Sequence, residues 1–377
     1  MTPENPCVIF VANRGFGLTN SRLALVQHFV SSGWRVVAAT AGDAYAAQLS
    51  AMGVTVEPVS FHRGGPAPFL DAQTLLVLTR IYRRRRPALI HHFNAKPIIL
   101  GTLAAGFAGC GNVVNTITGL GHSFIQNGPT YQLAAAGYNL LLSRSTATIF
   151  QNPDDQRLFV QRGWIPAHRA RLIISSGVDS VHFRPAAASG PPAGSPRVLM
   201  AARLLWQKGV GEFIEAAEVV KEKYSAACFE LAGEWDPVHP DAVDERWIQS
   251  AADGGIIEFL GYLSAMQQQL PARDIFVLPS YREGAPRVLL EAAACGLPVV
   301  TTDVPGCRDV VVEGVTGLVA PPRDSQALAG AIMKLLQNPE LRRQMGRAGR
   351  ERVEAEFDIR AITGKYLALY REVGIAV

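Results

Sequence analysis

Two carboxylates, Glu283 and Glu291, stand with seven residues between them in the stretch SYREGAPRVLLEAAACGLPVVTT at 280–302. An apolar run ends at Leu278, so Glu283 falls in the loop after a strand and Glu291 inside the next helix. Gly284, with Ala285 and Pro286 behind it, lets backbone approach a ligand closely. The start of that helix offers N–H groups and a positive dipole end to a phosphate. A nucleoside diphosphate fits this combination. Either glutamate alone reads equally well as a helix cap or a solvated carboxylate, and it is the neighbours that favour a ligand. Upstream, a second apolar run at 198–202 leads into ARLLWQKG, placing Arg203 and Lys208 just before a helix that begins near Gly209. Two cations at the carboxyl end of a strand stabilise negative charge growing on a departing diphosphate, the role a metal plays elsewhere. The chain has no DxD to hold a divalent ion, so neither metal nor cofactor is expected.

Together these stretches resemble the retaining GT-B glycosyltransferases of family 4, also called group 1. The resemblance covers essentially the whole length. It rests on R-x4-K-G at 203–209, E-x7-E at 283–291, SGVD at 176–179 and CGLPVV at 295–300. It implies that Arg203 and Lys208 grip the donor diphosphate, that Glu283 contacts donor-sugar hydroxyls and that Glu291 holds the ribose. Near the start, NRGFG at 13–17 looks like the family's glycine-bearing loop facing the donor phosphates. Gly15 and Gly17 permit positive φ there, but a GxG without a third glycine is a weak dinucleotide signal. No acidic residue closes the second apolar run at 35–40, which disfavours a nicotinamide enzyme. The segment NTITGLGHSFI at 115–125 is similar to a subset including bacterial transferases that act on undecaprenyl diphosphate-linked sugars. Many family members carry T-x-H at this position, whereas here 116–118 reads Thr-Ile-Thr and the nearest histidine, His122, lies four residues on. Thr118 and His122 are therefore alternative occupants of the histidine's place. His122 is equally open to acceptor-phosphate contact or to no catalytic duty.

Charge is divided unevenly. Up to Arg184 there are 16 Lys+Arg against seven Asp+Glu, a charge of +9, and the remainder carries 20 against 25, a charge of −5. A basic half suits an anionic partner. Arg83, Arg84, Arg85 and Arg86 close one helical pattern, and no charged residue appears between Lys96 and Arg144. Arginine runs bind anionic headgroups at about 1 kcal/mol each, and a long uncharged stretch suits acyl chains or a lipid acceptor. The plainer alternatives are the helix's own C-terminal dipole and buried core helices. Few aromatic residues lie beside the arginines and the second half is acidic, which argues against nucleic acid.

These groups must be positioned by a scaffold. Apolar runs at 7–12, 35–40, 54–59, 88–93, 112–117, 147–150 and 171–174 alternate with helical patterns at 21–32, 70–86, 97–108 and 131–143. The Pro, Ala, Gly and Ser segment at 185–196 reads as a linker. Strand patterns resume at 197–201, 228–232, 256–259, 275–278 and 298–301, and the tail from 325 is nearly all helical, with helices at 339–357 and about 358–373. The expected architecture is α/β: Rossmann-like domains at 1–184, for the acceptor, and 197–357, for the nucleotide sugar, facing across a cleft. The resemblance adds that the last helix, 358–377, crosses back to the first domain.

With 377 residues, 48% hydrophobic and 18% charged, disordered and fibrous classes are excluded. Residues 1–6 are polar and the next apolar run is too short for a signal sequence. No run reaches the ~20 apolar residues of a membrane span. Five scattered cysteines without CxxC suit a reducing compartment. The expected protein is cytoplasmic, peripheral at the inner face of the cell membrane. It would move a hexose or N-acetylhexosamine from a UDP-sugar to a polyprenyl diphosphate-linked saccharide. A nucleotide-sugar 2-epimerase of the same fold and a transferase with a soluble acceptor are the alternatives.

Overall fold

The computed structural model describes residues 5–62, 67–120, 128–186, 195–237 and 239–377. It contains two compact units, one formed by residues 1–176 with 360–377 and the other by residues 177–359.

The first unit is built on seven parallel strands: β1 (Cys7–Val11), β2 (Arg35–Thr40), β3 (Thr55–Pro58), β4 (Leu89–Phe93), β5 (Val113–Ile117), β6 (Ala147–Phe150) and β7 (Ala170–Leu172). Their order across the sheet is β3-β2-β1-β4-β5-β6-β7. Strands β1, β4, β5 and β6 are buried along their whole length, so they do not alternate between apolar and exposed residues, and the polar side chains they carry, such as His91, His92, Asn115 and Thr116, are buried as well. Three of the helices between them open on proline, at Pro68, Pro129 and Pro153, where the missing N–H costs nothing. The last helix, Ile359–Glu372, packs Ile362, Tyr366, Leu367, Leu369 and Tyr370 into one core with Phe10, Phe29 and Val36.

The second unit has six parallel strands: β8 (Arg197–Ala201), β9 (Cys228–Ala232), β10 (Glu258–Gly261), β11 (Ile275–Leu278), β12 (Val299–Thr302) and β13 (Gly317–Ala320), in the order β10-β9-β8-β11-β12-β13. Its core joins Val198, Met200, Phe229, Leu231 and Val277 to Phe213, Ile214 and Ile332 of the covering helices.

Two features differ from expectation. Strand β13 is only four residues long and opens on glycine, so no run marks it. A Cβ at Gly317 would stand 2.3 Å from the Val299 carbonyl oxygen, so the close pairing with β12 requires that glycine. The boundary between units falls after Ser176 and not after 184. Residues 177–184 join the second unit because Val178 N–H donates to the Phe357 carbonyl at 3.0 Å and Arg350 donates to the Phe183 carbonyl at 2.6 Å. Of the expected linker, residues 187–194 lie outside the described residues.

Candidate active site

In the second unit β8 and β11 are neighbours, yet the chain leaves β8 toward β9 on one side and β11 toward β12 on the other. Their carboxyl ends thus flank a topological switch point, the place where open parallel sheets bind ligands. The loop after β8 carries Arg203 and Lys208, and the loop after β11 carries Glu283.

The two loops are tied by a main-chain bond, Tyr281 N–H donating to the Gln207 carbonyl at 2.9 Å, and Glu283 N–H fastens the second of them to the loop after β12 by donating to the Pro305 carbonyl at 3.1 Å. Gly209 makes the approach possible: its φ is +76°, and a Cβ there would lie 2.2 Å from the Pro279 carbonyl oxygen. Gly306 does the same behind Glu283, with φ +86° and only 2.6 Å between a Cβ and the Glu283 carbonyl oxygen.

Within this frame Lys208 Nζ pairs with Glu283 Oε1, which also accepts from Ser280 Oγ at 2.7 Å. Arg203 is exposed and has no side-chain ion pair or hydrogen bond among the described residues. Gly284 is buried, and Pro286 precedes the helix Arg287–Ala294, whose first N–H groups have no side-chain cap. Ala285 sits between them, half-buried.

Glu291 lies on that helix and is buried. Burial pushes its carboxyl above the usual range, opposed by Arg287. Arg287 Nε stands 2.9 Å from Glu291 Oε1, an ion pair without a well-aligned hydrogen bond. Sequence reading passed over Arg287, although its i,i+4 spacing from Glu291 is the signal for such a pair. It also passed over a second layer, in which Tyr281 donates to Glu212 Oε1 at 2.6 Å and carries the Arg323 guanidinium 4.6 Å above its ring. Cys307 is completely buried, and its thiol is pushed up to about 12, chiefly by burial and then by the charge of Glu283. It is therefore protonated and no nucleophile.

Asp179 of the SGVD stretch and Trp235, in the loop after β9, serve local structure. Asp179 Oδ1 accepts from Val181 and His182 N–H at 3.0 Å each, and Trp235 Nε1 donates to the Val243 carbonyl at 3.1 Å.

In the first unit neither Gly15 nor Gly17 uses the positive φ that glycine permits. Instead a short helix, Phe16–Ser21, starts at once, and Gly15 N–H is taken by Asp43 Oδ2 at 2.9 Å. A side chain at Gly15 would collide with Asp43, its Cβ 2.6 Å from Oδ1, so this glycine accommodates a carboxylate. Thr118 follows β5 and accepts from Asn94 Nδ2 at 3.0 Å. His122 lies outside the described residues.

The arginine run is divided: Arg84 and Arg85 both pair with Glu57, Arg83 donates to the Phe107 carbonyl at 2.9 Å, and Arg86 ends the helix Pro68–Arg85 in a left-handed conformation.

The described residues contain one cluster of metal-ligand types, Cys228, Glu230 and Glu258. Glu230 is already matched by Arg197 and Arg273, the latter at 2.8 Å, and the cluster includes the amino end of β9, away from the loops above.

Residues 185–352 match the family described as glycosyl transferases group 1, and residues 16–174 match the glycosyl transferase 4-like domain. The chain is 28% identical over 378 residues to the N,N'-diacetylbacillosaminyl-diphospho-undecaprenol alpha-1,3-N-acetylgalactosaminyltransferase of Campylobacter jejuni, covering 97% of this chain and 98% of that one. It is 30% identical over 204 residues to a glycogen synthase of Mycobacterium tuberculosis, covering 52% of this chain and 47% of that one. Among solved structures, the sucrose-phosphate synthase of Thermosynechococcus elongatus superposes with a TM-score of 0.80 at 22% identity, covering 98% and 99% of the two chains. HepE of Anabaena in complex with UDP-glucose also gives 0.80, at 20% identity over 97% and 99%. At those identities the likeness is one of fold.

Proposed function

This chain belongs to the GT-B glycosyltransferases, with a glycosyl transferase 4-like first domain and a group 1 second domain, and from that premise we propose that it moves a hexose or N-acetylhexosamine from a UDP-sugar to a hydroxyl of a polyprenyl diphosphate-linked saccharide, with retention at the anomeric carbon and without a metal. The observation that carries this reading is the pairing of Lys208 with Glu283 at the switch point between β8 and β11, where the loop after β8 also carries Arg203.

In this mechanism the donor diphosphate lies against Arg203, Lys208 and the uncapped start of the helix Arg287–Ala294, where fixed positive charge stabilises the leaving group. Lys208 then turns from Glu283 to the phosphate, and the released carboxylate accepts from a donor-sugar hydroxyl. Glu291, held by Arg287, receives the ribose hydroxyls. As the bond from the anomeric carbon to the diphosphate oxygen breaks, its electron pair stays on the diphosphate. The acceptor oxygen bonds to the same face of the sugar, and its proton passes to the departing diphosphate.

The lipid part rests on the Campylobacter relative, whose name states a diphospho-undecaprenol acceptor. It is supported by the first unit's surface. The helix Pro68–Arg85 leaves Phe69 88% exposed and Leu76 56% exposed, and ends in the arginine run. No described helix is long and apolar enough to cross a membrane, so contact with headgroups is proposed as peripheral, at the inner face of the cell membrane.

The test is transfer of radiolabelled sugar from a panel of UDP- and GDP-sugars to a bacterial polyprenyl glycolipid extract, with and without EDTA. Label in the lipid fraction from one UDP-sugar, unaffected by EDTA, is the expected result. Conversion of the donor to an isomer without acceptor would replace this reading by the epimerase, and label confined to water-soluble products would move the acceptor off the lipid.

A further inference from the structure

The first unit repeats the switch-point logic. Strands β1 and β4 are neighbours, while the chain leaves β1 toward β2 and β4 toward β5, so a crevice is expected at their carboxyl ends. Asn94, the first residue after β4, has φ +74° and ψ 159°. Asparagine visits the left-handed helical region readily, but that region has ψ near +45°. Arg86, at φ +45° and ψ +61°, occupies it in the ordinary way. With ψ at 159°, Asn94 stands in a region that is essentially glycine's own, and strain of this kind persists where the surroundings impose it, often at functional sites.

The strain is not explained by helix capping. Asn94 begins the helix Ala95–Ala108 but makes no side-chain cap bond. Its carboxamide turns to the neighbouring strand end, where Nδ2 donates to Thr118 Oγ1 at 3.0 Å. The carboxamide oxygen Oδ1 of Asn94 and the Thr118 hydroxyl hydrogen are left without partners among the described residues, on two half-buried side chains. One acceptor and one donor side by side match two adjacent oxygens of a sugar ring.

A second observation points to the same edge. The Arg22 guanidinium lies 4.8 Å over the ring of Phe93, the residue before Asn94, and Arg22 is only 4% exposed. Among the described residues its guanidinium makes one hydrogen bond, to the Ser21 carbonyl, pairs with no carboxylate and leaves Nε without a partner. A buried cation without an anion is costly and suits a site that receives negative charge from a ligand. Asn13 Oδ1, just after β1, is likewise buried without a partner among the described residues.

We propose that Asn94 and Thr118 form a hydroxyl-recognising pair for the acceptor sugar at this edge, with Asn94 held to its task by its strained backbone. The inference rests on the glycosyl-transfer reading above and deepens it: the ligand class is a saccharide attached to an anionic diphosphate, and Asn94 is a specificity residue.

The test uses the full chain with Asn94→Gly and Thr118→Val. Glycine relieves the strained backbone, so if the geometry serves only the fold, Asn94→Gly melts higher and binds as before. The probes are phosphatidylcholine vesicles carrying either N-acetylglucosaminyl-diphospho-undecaprenol or undecaprenyl diphosphate without sugar, with binding read by co-sedimentation. Wild type is expected to prefer the glycosylated lipid. Asn94→Gly is expected to melt higher, to lose that preference at least about tenfold, and to bind UDP unchanged, while Thr118→Val loses the preference without gaining stability. A more stable Asn94→Gly that keeps the full preference overturns the proposal, as does a wild type that binds both lipids equally. A wild type that prefers the glycosylated lipid yet transfers from no donor supports the subsite and refutes the transfer reading, so the two failures are told apart.

Discussion

Replacing Lys208 by alanine removes the cation that Glu283 touches, and the cost can be worked from the surroundings. The two side chains are 16% and 14% exposed, so the carboxylate left behind is largely desolvated and keeps the Ser280 hydroxyl as a donor. Two unit charges about 4 Å apart attract by about 4 kcal/mol at an effective dielectric near 20. Breaking a fully buried pair costs about 3–5 kcal/mol, and the residual exposure and the Ser280 bond bring this down to about 2 kcal/mol. At a urea slope of about 2 kcal/mol/M, the unfolding midpoint of Lys208→Ala falls by about 1 M. Glu283→Gln alone costs about 1 kcal/mol, since the flexible lysine can turn toward water. The double variant recovers part of the loss, because it leaves no uncompensated charge, and the cycle gives a coupling of about 1–2 kcal/mol. Transfer behaves differently. All three variants lose at least about 100-fold in kcat, because the donor diphosphate has lost its cation or the sugar its carboxylate. Urea melts followed by fluorescence, together with the radiolabel assay, measure both. Single variants as stable as wild type and additive in the double would refute the buried pair, and a folded Lys208→Ala with full turnover would refute its catalytic role.

Three further outcomes are expected. Burial holds the His92 imidazole down from 6.5 to about 4, against the hydrogen bond it donates to Asn115 Oδ1, so the unfolded chain takes up a proton that the folded chain refuses. The stability of neutral His92 is therefore fully present above pH 6.5 and declines as pH falls toward 4. About 3 kcal/mol is lost in all. Urea midpoints of wild type and His92→Gln at pH 7.5, 5.5 and 4 check this, and a constant difference between the two proteins would contradict it. Gly209→Ala must place a Cβ 2.2 Å from the Pro279 carbonyl at φ +76°. Roughly 3 kcal/mol or more of stability and all UDP binding should be lost, and an unaltered melting curve would be incompatible with this loop geometry. Arg287→Gln leaves Glu291 buried without its cation. Calorimetry should show UDP affinity down by about tenfold while binding to the glycolipid vesicles is unchanged, and equal affinity would show that Arg287 does not position Glu291.

Much of the scaffold is legible in the chain. Strands β2, β6, β8, β9 and β11 occur at the residues where the apolar runs place them, because strands buried on both faces are predominantly apolar, a buried polar residue such as Glu230 of β9 being admitted only with partners. Strand β13 is invisible for the opposite reason: GLVA is as short as many loops, and only the close approach of β12 reveals why its glycine is there. The loop at Gly15 shows the limit of motif reading. Two glycines in a loop after a strand suit a phosphate, but the same absence of side chains also admits Asp43, which arrives from 28 residues away. Asn94 passed unnoticed in sequence, since nothing about an asparagine after a strand announces a glycine-like backbone.

The sequence by itself determined the class of fold, the two-unit organisation and the residue types brought to the second unit's switch point. Those are local properties, carried by periodicity of burial and by spacing along one helix or loop, as with Arg287 and Glu291. Only the tertiary structure decided that Lys208 rests on Glu283 across 75 residues of chain, that Asp43 occupies the Gly15 amide, and that Asn94 reaches Thr118. Such pairings depend on strand order and on which loops become neighbours at a sheet edge. They are set by the packing of the whole unit, a cooperative free energy that no short stretch of residues contains.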